Sequence, residues 1–420
     1  MIKILHLSDL HLGSGFSHGN INPDTGRNSR FDDFVHTLSL CIDRALAEPV
    51  DLVLFGGDAF PNATPAPYIQ SAFANQFYRL VKANIPTVLL VGNHDQHTHG
   101  QGGASLCIYR TLGVPRFVVG DRIATHRLLT RNGPIQVITL PWLTRASLLA
   151  SPKTEKLSLS EVNHLLLDRL EAILEAEIRR LDPNMPTVLL GHLMVDNARY
   201  GAERFLAVGK GFTVPLSFLT RESFDYVALG HVHKHQILCQ DPPVVYPGSI
   251  ERIDFSEEKE EKGFMLVDLA KGQAQLEFCP LSVRDFRTIK VNISTAEDPQ
   301  AALVKAIKKK PIADAVVRLS YQVRSDQLDP IDNQALHACL STAHSYSIQP
   351  EVVTKISRAR LPELGVGSGI DPIEALKTYL DNREDLKDIA PEMIAAAEEL
   401  LAGNLRQSSP DLQLTQLSLL

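Results

Sequence analysis

Cysteine is scarce in this sequence of 420 residues, and its five cysteines are scattered without a C-x-x-C pair. An odd, dispersed set excludes a disulfide scaffold and a thiolate zinc site, and it is typical of the reducing cytoplasm. Long hydrophobic runs are also missing, since none approaches the roughly 18–20 residues that cross a bilayer. The first apolar run turns polar at Ser8 and Asp9, too early for a signal peptide. The sequence therefore predicts a cytoplasmic protein without a membrane segment.

Neither sign of charge dominates, because 42 basic and 49 acidic side chains give a net charge of −7. This mild acidity does not exclude nucleic acid, which binds to local basic patches rather than to the net charge. Hydrophobic residues make up 44% of the chain and charged residues 22%, as in soluble globular proteins. The length favours two or three domains.

The first two thirds of the chain repeat one pattern. A short run rich in Val, Ile and Leu ends in Gly or Ser and is followed at once by Asp, Asn or His. Continuous apolar runs of this length are typical of strands buried on both faces. The polar clusters that follow the five runs are Asp9 with His11, Gly57-Asp58, Gly92-Asn93-His94-Asp95, Gly191-His192, and Gly230-His231 with His233.

Amphipathic helices separate these strands, one over residues 66–84 and a longer one that opens with Ser158-x-x-Glu161, a capping-box pattern. Alternation of strands and helices predicts an α/β fold, in which ligands bind at the carboxyl ends of the strands. The five polar clusters all lie at such ends, so we expect them to converge.

Seven of these side chains offer carboxylate oxygen, amide oxygen or imidazole nitrogen and no thiolate. Seven ligands are more than one ordinary metal site uses, and they suit two neighbouring first-row cations that share a bridging carboxylate. A single Asp-x-His or Gly-His pair is commonly accidental. Five clusters in order are different, because a fold without metal would gather these polar groups at a large cost in desolvation and repulsion.

The five clusters resemble the motifs of the calcineurin-like metallophosphoesterases. Residues 8–13 (SDLHLG) and 246–255 (YPGSIERIDF) narrow the resemblance to the SbcD family, the nuclease subunits of bacterial SbcC–SbcD complexes, related to double-strand-break repair nucleases. The resemblance implies a four-layer αββα sandwich with a small α+β capping domain and a C-terminal helix pair. It extends over nearly the whole chain, although the last two parts match by layout rather than by sharp motifs.

The resemblance also implies the roles of the site residues. One metal takes Asp9, His11, Asp58 and His233, and the other takes Asp58, Asn93, His192 and His231, so Asp58 bridges. The family suggests Mn²⁺, while the ligand types also suit Mg²⁺, Fe²⁺ or Zn²⁺. His94 is expected to stabilise or protonate the leaving oxygen rather than to bind metal.

One position departs from the wider family. Some members carry His, Asp or Tyr three residues after the bridging aspartate, where this chain has Pro61. An orienting role of that residue must therefore be absent or filled elsewhere. Arg27, Arg30 and His97 follow the first and third motifs and are candidate DNA contacts. The charged run over residues 257–262 is expected to be a solvated turn or edge.

The sequence changes character near residue 281, and we predict five parts. Residues 1–280 form the metallophosphoesterase nuclease domain and 281–356 the capping, DNA-binding domain. Residues 357–370, with Pro362 and three glycines, form a linker, 371–404 form two short helices, and 405–420 form a flexible tail. A helix pair this short must dock to bury its apolar face.

The family implies that residues 371–404 bind a coiled-coil ATPase of the SbcC type, in a heterotetramer built on a homodimer. No P-loop motif occurs in the chain, so ATP hydrolysis must come from a partner. The predicted activity is an ATP-dependent double-strand exonuclease and a single-strand or hairpin endonuclease, acting on DNA ends in repair, recombination and replication. Two alternatives stay open: a small-molecule phosphodiesterase or phosphatase, and a non-catalytic DNA-end scaffold.

Overall fold

The computed structural model describes residues 1–97, 103–143, 159–201, 213–353 and most of 372–401. The chain forms two compact units, Met1–Val352 and Val353–Leu420. All five cysteines lie in the described ranges and are free thiols. Within those ranges, every helix is too short or too polar to cross a bilayer.

Two six-stranded sheets form the body of the first unit. The strands of the large sheets are β1 (Ile2–Leu7), β2 (Leu52–Phe55), β3 (Thr87–Leu90), β4 (Phe117–Gly120), β5 (Ala124–Thr130), β6 (Gly133–Leu140), β7 (Thr187–His192), β10 (Tyr226–Gly230), β11 (Gln236–Gln240), β12 (Pro243–Tyr246), β13 (Gly263–Ala270) and β14 (Gln273–Pro280). A small separate ribbon pairs β8 (Met194–Val195) with β9 (Thr213–Val214).

The strand order is β14-β13-β1-β2-β3-β4 in the first sheet and β11-β12-β10-β7-β6-β5 in the second. The central strands β1 to β4 run parallel, and β13 returns antiparallel to β1 with Ile2 opposite Leu269. In the second sheet β6, β7, β10 and β12 run parallel. Parallel strands place their carboxyl ends at one edge of each sheet, where ligands bind in α/β folds.

Helices cover the outer faces of the two sheets. The helices of the body are α1 (Ser29–Ala47), α2 (Pro67–Lys82), α3 (Cys107–Thr111) and α4 (Leu159–Ile178). Phe34 of α1 and Phe73 of α2 pack in one core with the first sheet, while Leu170 of α4 packs in another with the second sheet. A third core, with Leu54 and Val188, lies between the two sheets. The layers are therefore helix, sheet, sheet and helix, which confirms the predicted α/β fold.

A smaller sheet with its own core follows in the chain. It contains the parallel strands β15 (Phe286–Asn292), β16 (Val316–Val323) and β17 (Ser345–Val352), with helices α5 (Pro299–Lys308) and α6 (Asn333–Leu340). Asp298 and Asp332 cap these helices by accepting hydrogen bonds from backbone amides one turn on. The elements agree with those expected in 281–356, while the division into domains stays a prediction.

The second unit contains helices α7 (Pro372–Asp381) and α8 (Ala390–Leu401). Leu380 of α7 is buried, whereas Tyr379 and Met393 are exposed. The predicted linker over 357–370 and the predicted tail over 405–420 lie outside the described residues, as does Ser158.

Candidate metal centre and active site

The predicted site residues meet at the carboxyl ends of strands from both large sheets. From the first sheet come Asp9 and His11 after β1, Asp58 after β2, and Asn93 after β3; from the second come His192 at the end of β7, and His231 and His233 after β10. Six of these side chains are buried, and Asn93 is half-buried. The two sheets thus supply one shared polar cluster.

Four of the seven residues adopt an unusual backbone conformation. Asp9, His11, Asp58 and His231 have φ angles of 54°, 43°, 57° and 101°, in the left-handed region that side chains disfavour. Such conformations persist where surrounding structure over-determines them, and they concentrate at functional sites. Here the loops hold each other, since the backbone N–H groups of Asp9 and His11 donate to the carbonyls of Gly57 and Asp58, both at 3.0 Å.

Glycine is required where the loops of the two sheets touch. A Cβ atom at Gly230 would lie 2.2 Å from the carbonyl oxygen of Gly56 on the facing sheet. A Cβ atom at Gly92 would lie 2.2 Å from Oδ1 of Asp58. Both distances are far below contact, so the glycines before the metal-competent residues allow the backbones to approach closely.

The first group of possible ligands contains Asp9, His11 and His233, whose ligand atoms all lie within 4.8 Å of one another. Nε2 of His11 faces Nε2 of His233 at 3.1 Å and Oδ2 of Asp58 at 3.6 Å. The carboxylate of Asp9 is fixed by its neighbours, because it accepts hydrogen bonds from the Ser8 hydroxyl and from the backbone N–H of His231.

The second group contains Asp58, His192 and His231, also within 4.8 Å of one another. Oδ1 of Asn93 lies 2.9 Å from Nε2 of His192 and 3.0 Å from Nδ1 of His231. Oδ2 of Asp58 lies 3.3 Å from Nε2 of His192. Two ligands at right angles around one cation, each about 2.1 Å from it, lie about 3 Å apart. These separations therefore fit the edges of one coordination shell.

Asp58, a member of the second group, also borders the first, since the same oxygen lies near His11 on one side and His192 on the other. The donor atoms are oxygen and imidazole nitrogen only, which suits Mn²⁺, Fe²⁺, Zn²⁺ or Mg²⁺. Nδ1 of His192 donates to the carbonyl of Gly56 at 2.7 Å, so Nε2 is left to face the group. The residues present therefore fit two cations that share Asp58.

The electrostatics of the cluster favour positive charge between its acids. Burial raises the pKa of Asp9 to about 6. Burial lowers the pKa of His11 and His231 well below its usual range, so both are neutral and able to ligate. Burial acts in the same direction on His192, but the Asp58 carboxylate outweighs it and raises the pKa of His192 to about 9. The buried Asp58 carboxylate therefore favours positive charge at this point of the cluster.

His94 lies at the edge of the cluster, half-buried, with its ring 4.8 Å from that of His11. Its backbone N–H donates to Oδ1 of Asp58 at 2.8 Å. Its Nδ1 lies 2.9 Å from the carbonyl oxygen of Pro61, which accepts the Nδ1 proton. The main chain at Pro61 thus orients His94, and Nε2 becomes the atom that can face a leaving oxygen.

Asp95 holds the loops of the second and third motifs together. Its Oδ2 accepts hydrogen bonds from the backbone N–H groups of Asp58 at 2.9 Å and Gly92 at 3.0 Å. Its Oδ1 accepts one from Ala59 at 3.0 Å. The sequence signal was its place in the Gly-Asn-His-Asp motif, which marks polar chemistry but does not reveal this bracing role.

Two further residues of the site escaped the sequence prediction. Trp142, the one tryptophan of the chain, is buried with its ring 4.8 Å from that of His231. Glu257 is buried as well, and its Oε1 lies 2.7 Å from Nδ1 of His233. Lys262 is also buried, and its Nζ pairs with Oε2 of Glu257 at 2.8 Å. The prediction that residues 257–262 form a solvated turn is therefore wrong at both ends of the segment.

The structure separates the three candidate DNA contacts. Arg27 and His97 are exposed. Arg30 is fully buried and pairs with Asp33 at 2.5 Å and Glu251 at 3.3 Å. The expectation for Arg30 is corrected, because a buried guanidinium held by two carboxylates presents no surface to a DNA phosphate.

The model of the calcineurin-like phosphoesterase family matches residues 2–235. This is more than half of the chain and includes every metal-competent residue described above. The chain therefore belongs to the calcineurin-like phosphoesterases, a family of metal-dependent phosphoesterases.

Several solved structures are similar at low identity. A dimetal phosphatase from Danio rerio is 13% identical with a TM-score of 0.39, over 66% of this chain and 95% of that one. A protein of Thermus thermophilus is 16% identical with a TM-score of 0.36, over 66% and 98%. A purple acid phosphatase from yellow lupin (Lupinus luteus) seeds is 13% identical with a TM-score of 0.34, over 66% and 51%.

Proposed function

We propose that this phosphoesterase is the nuclease subunit of an SbcC–SbcD-type complex and hydrolyses DNA phosphodiesters with two Mn²⁺ ions. The observation that carries the hydrolytic part is the pair of ligand groups linked by Asp58, with His94 beside them. The DNA substrate is supported by the resemblance of residues 8–13 and 246–255 to the SbcD family.

In this proposal, two sets of residues hold the metal centre and His94 acts on the leaving group. Asp9, His11 and His233 hold one side of the centre, and Asn93, His192 and His231 hold the other, with Asp58 between them. When bound, the two cations supply a water of lowered pKa as nucleophile and neutralise charge on the phosphate oxygens. His94 is held at Nδ1 by the Pro61 carbonyl, so in its doubly protonated, imidazolium form it would donate the Nε2 proton to the leaving oxygen.

The small sheet is held against α1, which follows the first-motif loop in the chain, and this additional sheet supports a polymeric substrate. Ser29 Oγ, just after the first-motif loop, lies 2.7 Å from Nε2 of His344, which precedes β17. Arg284, which precedes β15, pairs with Asp33 of α1 at 2.7 Å. A small-molecule phosphatase does not need such an additional sheet.

The assay that separates the three readings uses the purified chain with Mn²⁺ and end-labelled linear DNA, with and without the ATPase subunit. Release of nucleotides that is lost in Asp58→Ala and His94→Gln, and retained in the matched control His36→Gln on the exposed side of α1, supports the proposal. Hydrolysis of nitrophenyl phosphoesters without DNA cleavage supports a small-molecule phosphoesterase. Retention of DNA without cleavage supports a scaffold.

We further propose that α7 and α8 dock on the coiled coil of an SbcC-type ATPase, within a heterotetramer built on a homodimer. The support is the exposed apolar surface at Tyr379 and Met393 in helices of 10 and 12 residues. The variant Met393→Glu should reduce co-purification with the ATPase while Mn²⁺-dependent hydrolysis by the chain alone is unchanged. Equal co-purification of variant and wild type would contradict this docking site.

A further inference from the structure

A buried acid lies behind one of the possible metal ligands. Glu257 ends the short 3-10 helix Phe255–Glu257 and is 5% exposed. Its Oε1 lies 2.7 Å from Nδ1 of His233, close enough for a strong charge-assisted hydrogen bond. We infer that Glu257 is a positioning residue, which holds the His233 ring with Nδ1 protonated and Nε2 directed into the metal centre. The inference rests on the proposed two-metal function.

The geometry of His233 supports this direction. Nε2 of the same ring faces Nε2 of His11 at 3.1 Å, inside the first ligand group. An imidazole that ligates through one nitrogen usually donates the other N–H to a carboxylate or carbonyl, which fixes its tautomer and strengthens it as a ligand. Nδ1 of His192 likewise donates to the carbonyl of Gly56. A carboxylate therefore holds a histidine of the first ligand group, and a backbone carbonyl holds a histidine of the second.

A buried lysine holds the other carboxylate oxygen of Glu257. Nζ of Lys262 lies 2.8 Å from Oε2 of Glu257, 2.9 Å from the Ser249 hydroxyl and 2.9 Å from Oε2 of Glu260. The same oxygen of Glu257 accepts from the backbone N–H of Ile253 at 3.1 Å.

A stabilising role alone does not explain this arrangement. Buried ion pairs are weak contributors to stability, and apolar side chains often replace them without loss. The two carboxylate oxygens of Glu257 have different partners. Oε2 pairs with Lys262, whereas Oε1 contacts His233, a possible metal ligand. Glu260 offers the natural comparison, because it pairs with the same lysine and its carboxylate does not reach His233 in the described contacts.

Glu257 lies outside residues 2–235, the part of the chain that matches the family model. The turn that carries it is held from the small sheet: Phe255 packs on Phe286 with ring centroids 5.0 Å apart, and the Arg318 guanidinium lies 4.3 Å above Phe255. The backbone N–H of Thr288 donates to Glu258 at 3.1 Å. A segment beyond the matched region therefore completes the setting of His233.

The test is a titration of the purified full chain with MnCl₂ by isothermal calorimetry, with the spin-coupled dimanganese signal followed by electron paramagnetic resonance. We expect the wild type to bind two ions. Glu257→Ala should weaken one of the two sites by about 10- to 100-fold and leave the other within about 2-fold. Glu257→Gln keeps an acceptor for His233 and should lose less, and Glu260→Gln should bind as the wild type does.

Melting in EDTA checks that each variant folds. If Glu257→Ala fails to fold, the double variant with Lys262→Met removes the unpaired charge and should still bind one ion weakly. Unchanged affinity at both sites in Glu257→Ala or in the double variant would overturn the inference, as would an equal loss in Glu260→Gln. Failure of the proposed function is a separate result, because it would be seen as a wild type that binds no metal pair or cleaves no phosphodiester.

Discussion

Replacing Asp95 by Asn tests whether the bracing of the metal loops depends on a carboxylate. The two side chains have nearly the same shape, but the amide has one oxygen where the acid has two. If that oxygen serves the N–H groups of Asp58 and Gly92, the amide nitrogen faces the N–H of Ala59 across a former 3.0 Å hydrogen bond. The substitution therefore leaves at least one buried backbone donor without an acceptor.

The cost follows from that count. A buried N–H group that loses its acceptor lowers the free energy of unfolding by about 1–3 kcal/mol. We expect Asp95→Asn to lower the free energy of unfolding by about this amount, and Asp95→Ala to lower it further, because three backbone N–H groups then lose their acceptor. The matched control is Ser105→Ala, which removes only the hydroxyl that lies 3.5 Å from Oδ1 of Asp95.

Trp142 gives the measurement, since the one tryptophan of the chain lies against His231 in the site. Its fluorescence in a urea titration with EDTA present reports unfolding without contributions from metal. Asp95→Asn should shift the midpoint to lower urea, and Ser105→Ala should stay close to the wild type. If Asp95→Asn and the wild type unfold at the same urea concentration, the account of Asp95 as the brace of these loops is wrong.

Three further predictions concern catalysis, metal and pH. His94→Gln should lower the rate of phosphodiester hydrolysis by about 10²- to 10⁴-fold with unchanged Mn²⁺ affinity by calorimetry; weaker metal binding would instead make His94 a ligand. Mn²⁺ at about 100 times its dissociation constant should raise the free energy of unfolding by about 2.7 kcal/mol per site, measured as melting with and without EDTA; an unchanged melt would contradict a site shared by both sheets. Burial opposes ionisation of Asp33, but Arg284 and then Arg30 hold its pKa below the usual value, so its stabilisation is present above about pH 4 and is lost as the pH falls through the folded value. Asp33→Asn should therefore cost about 1–3 kcal/mol at pH 7 and less at pH 3 in urea titrations, and equal costs would refute the assignment.

The sequence predicted the parts of the fold that local patterns encode. Apolar runs that end in Gly and a metal-competent residue identified β1, β2, β3, β7 and β10, and the structure brings their ends together. The same patterns did not single out α1, although Phe31, Phe34 and Leu38 recur at helical spacing and Asn28 caps its first turn. Local patterns also did not predict that β13 pairs with β1, because a pairing of residues 2 and 269 leaves no local periodicity.

Charge was the least reliable sequence signal. The run over residues 257–262 predicts a solvated turn, yet Glu257 and Lys262 neutralise each other inside the protein. Arg30, which was predicted to contact DNA, is buried for the same reason, since Asp33 and Glu251 compensate its charge. Composition does not reveal which charges find partners, because partners distant in sequence meet only in the folded chain.

The pairing of β1 with β13 has a consequence for the order in which the protein is made. β1 is synthesised before β13, the strand that covers one of its edges, which begins only at Gly263. Until then the nascent chain presents an uncovered edge of the first sheet, a surface prone to pairing with other chains. Asp9 and His11 directly follow this strand. Synthesis as far as His233 therefore yields every metal-competent side chain but leaves β1, the strand before the first motif, unpaired along one edge.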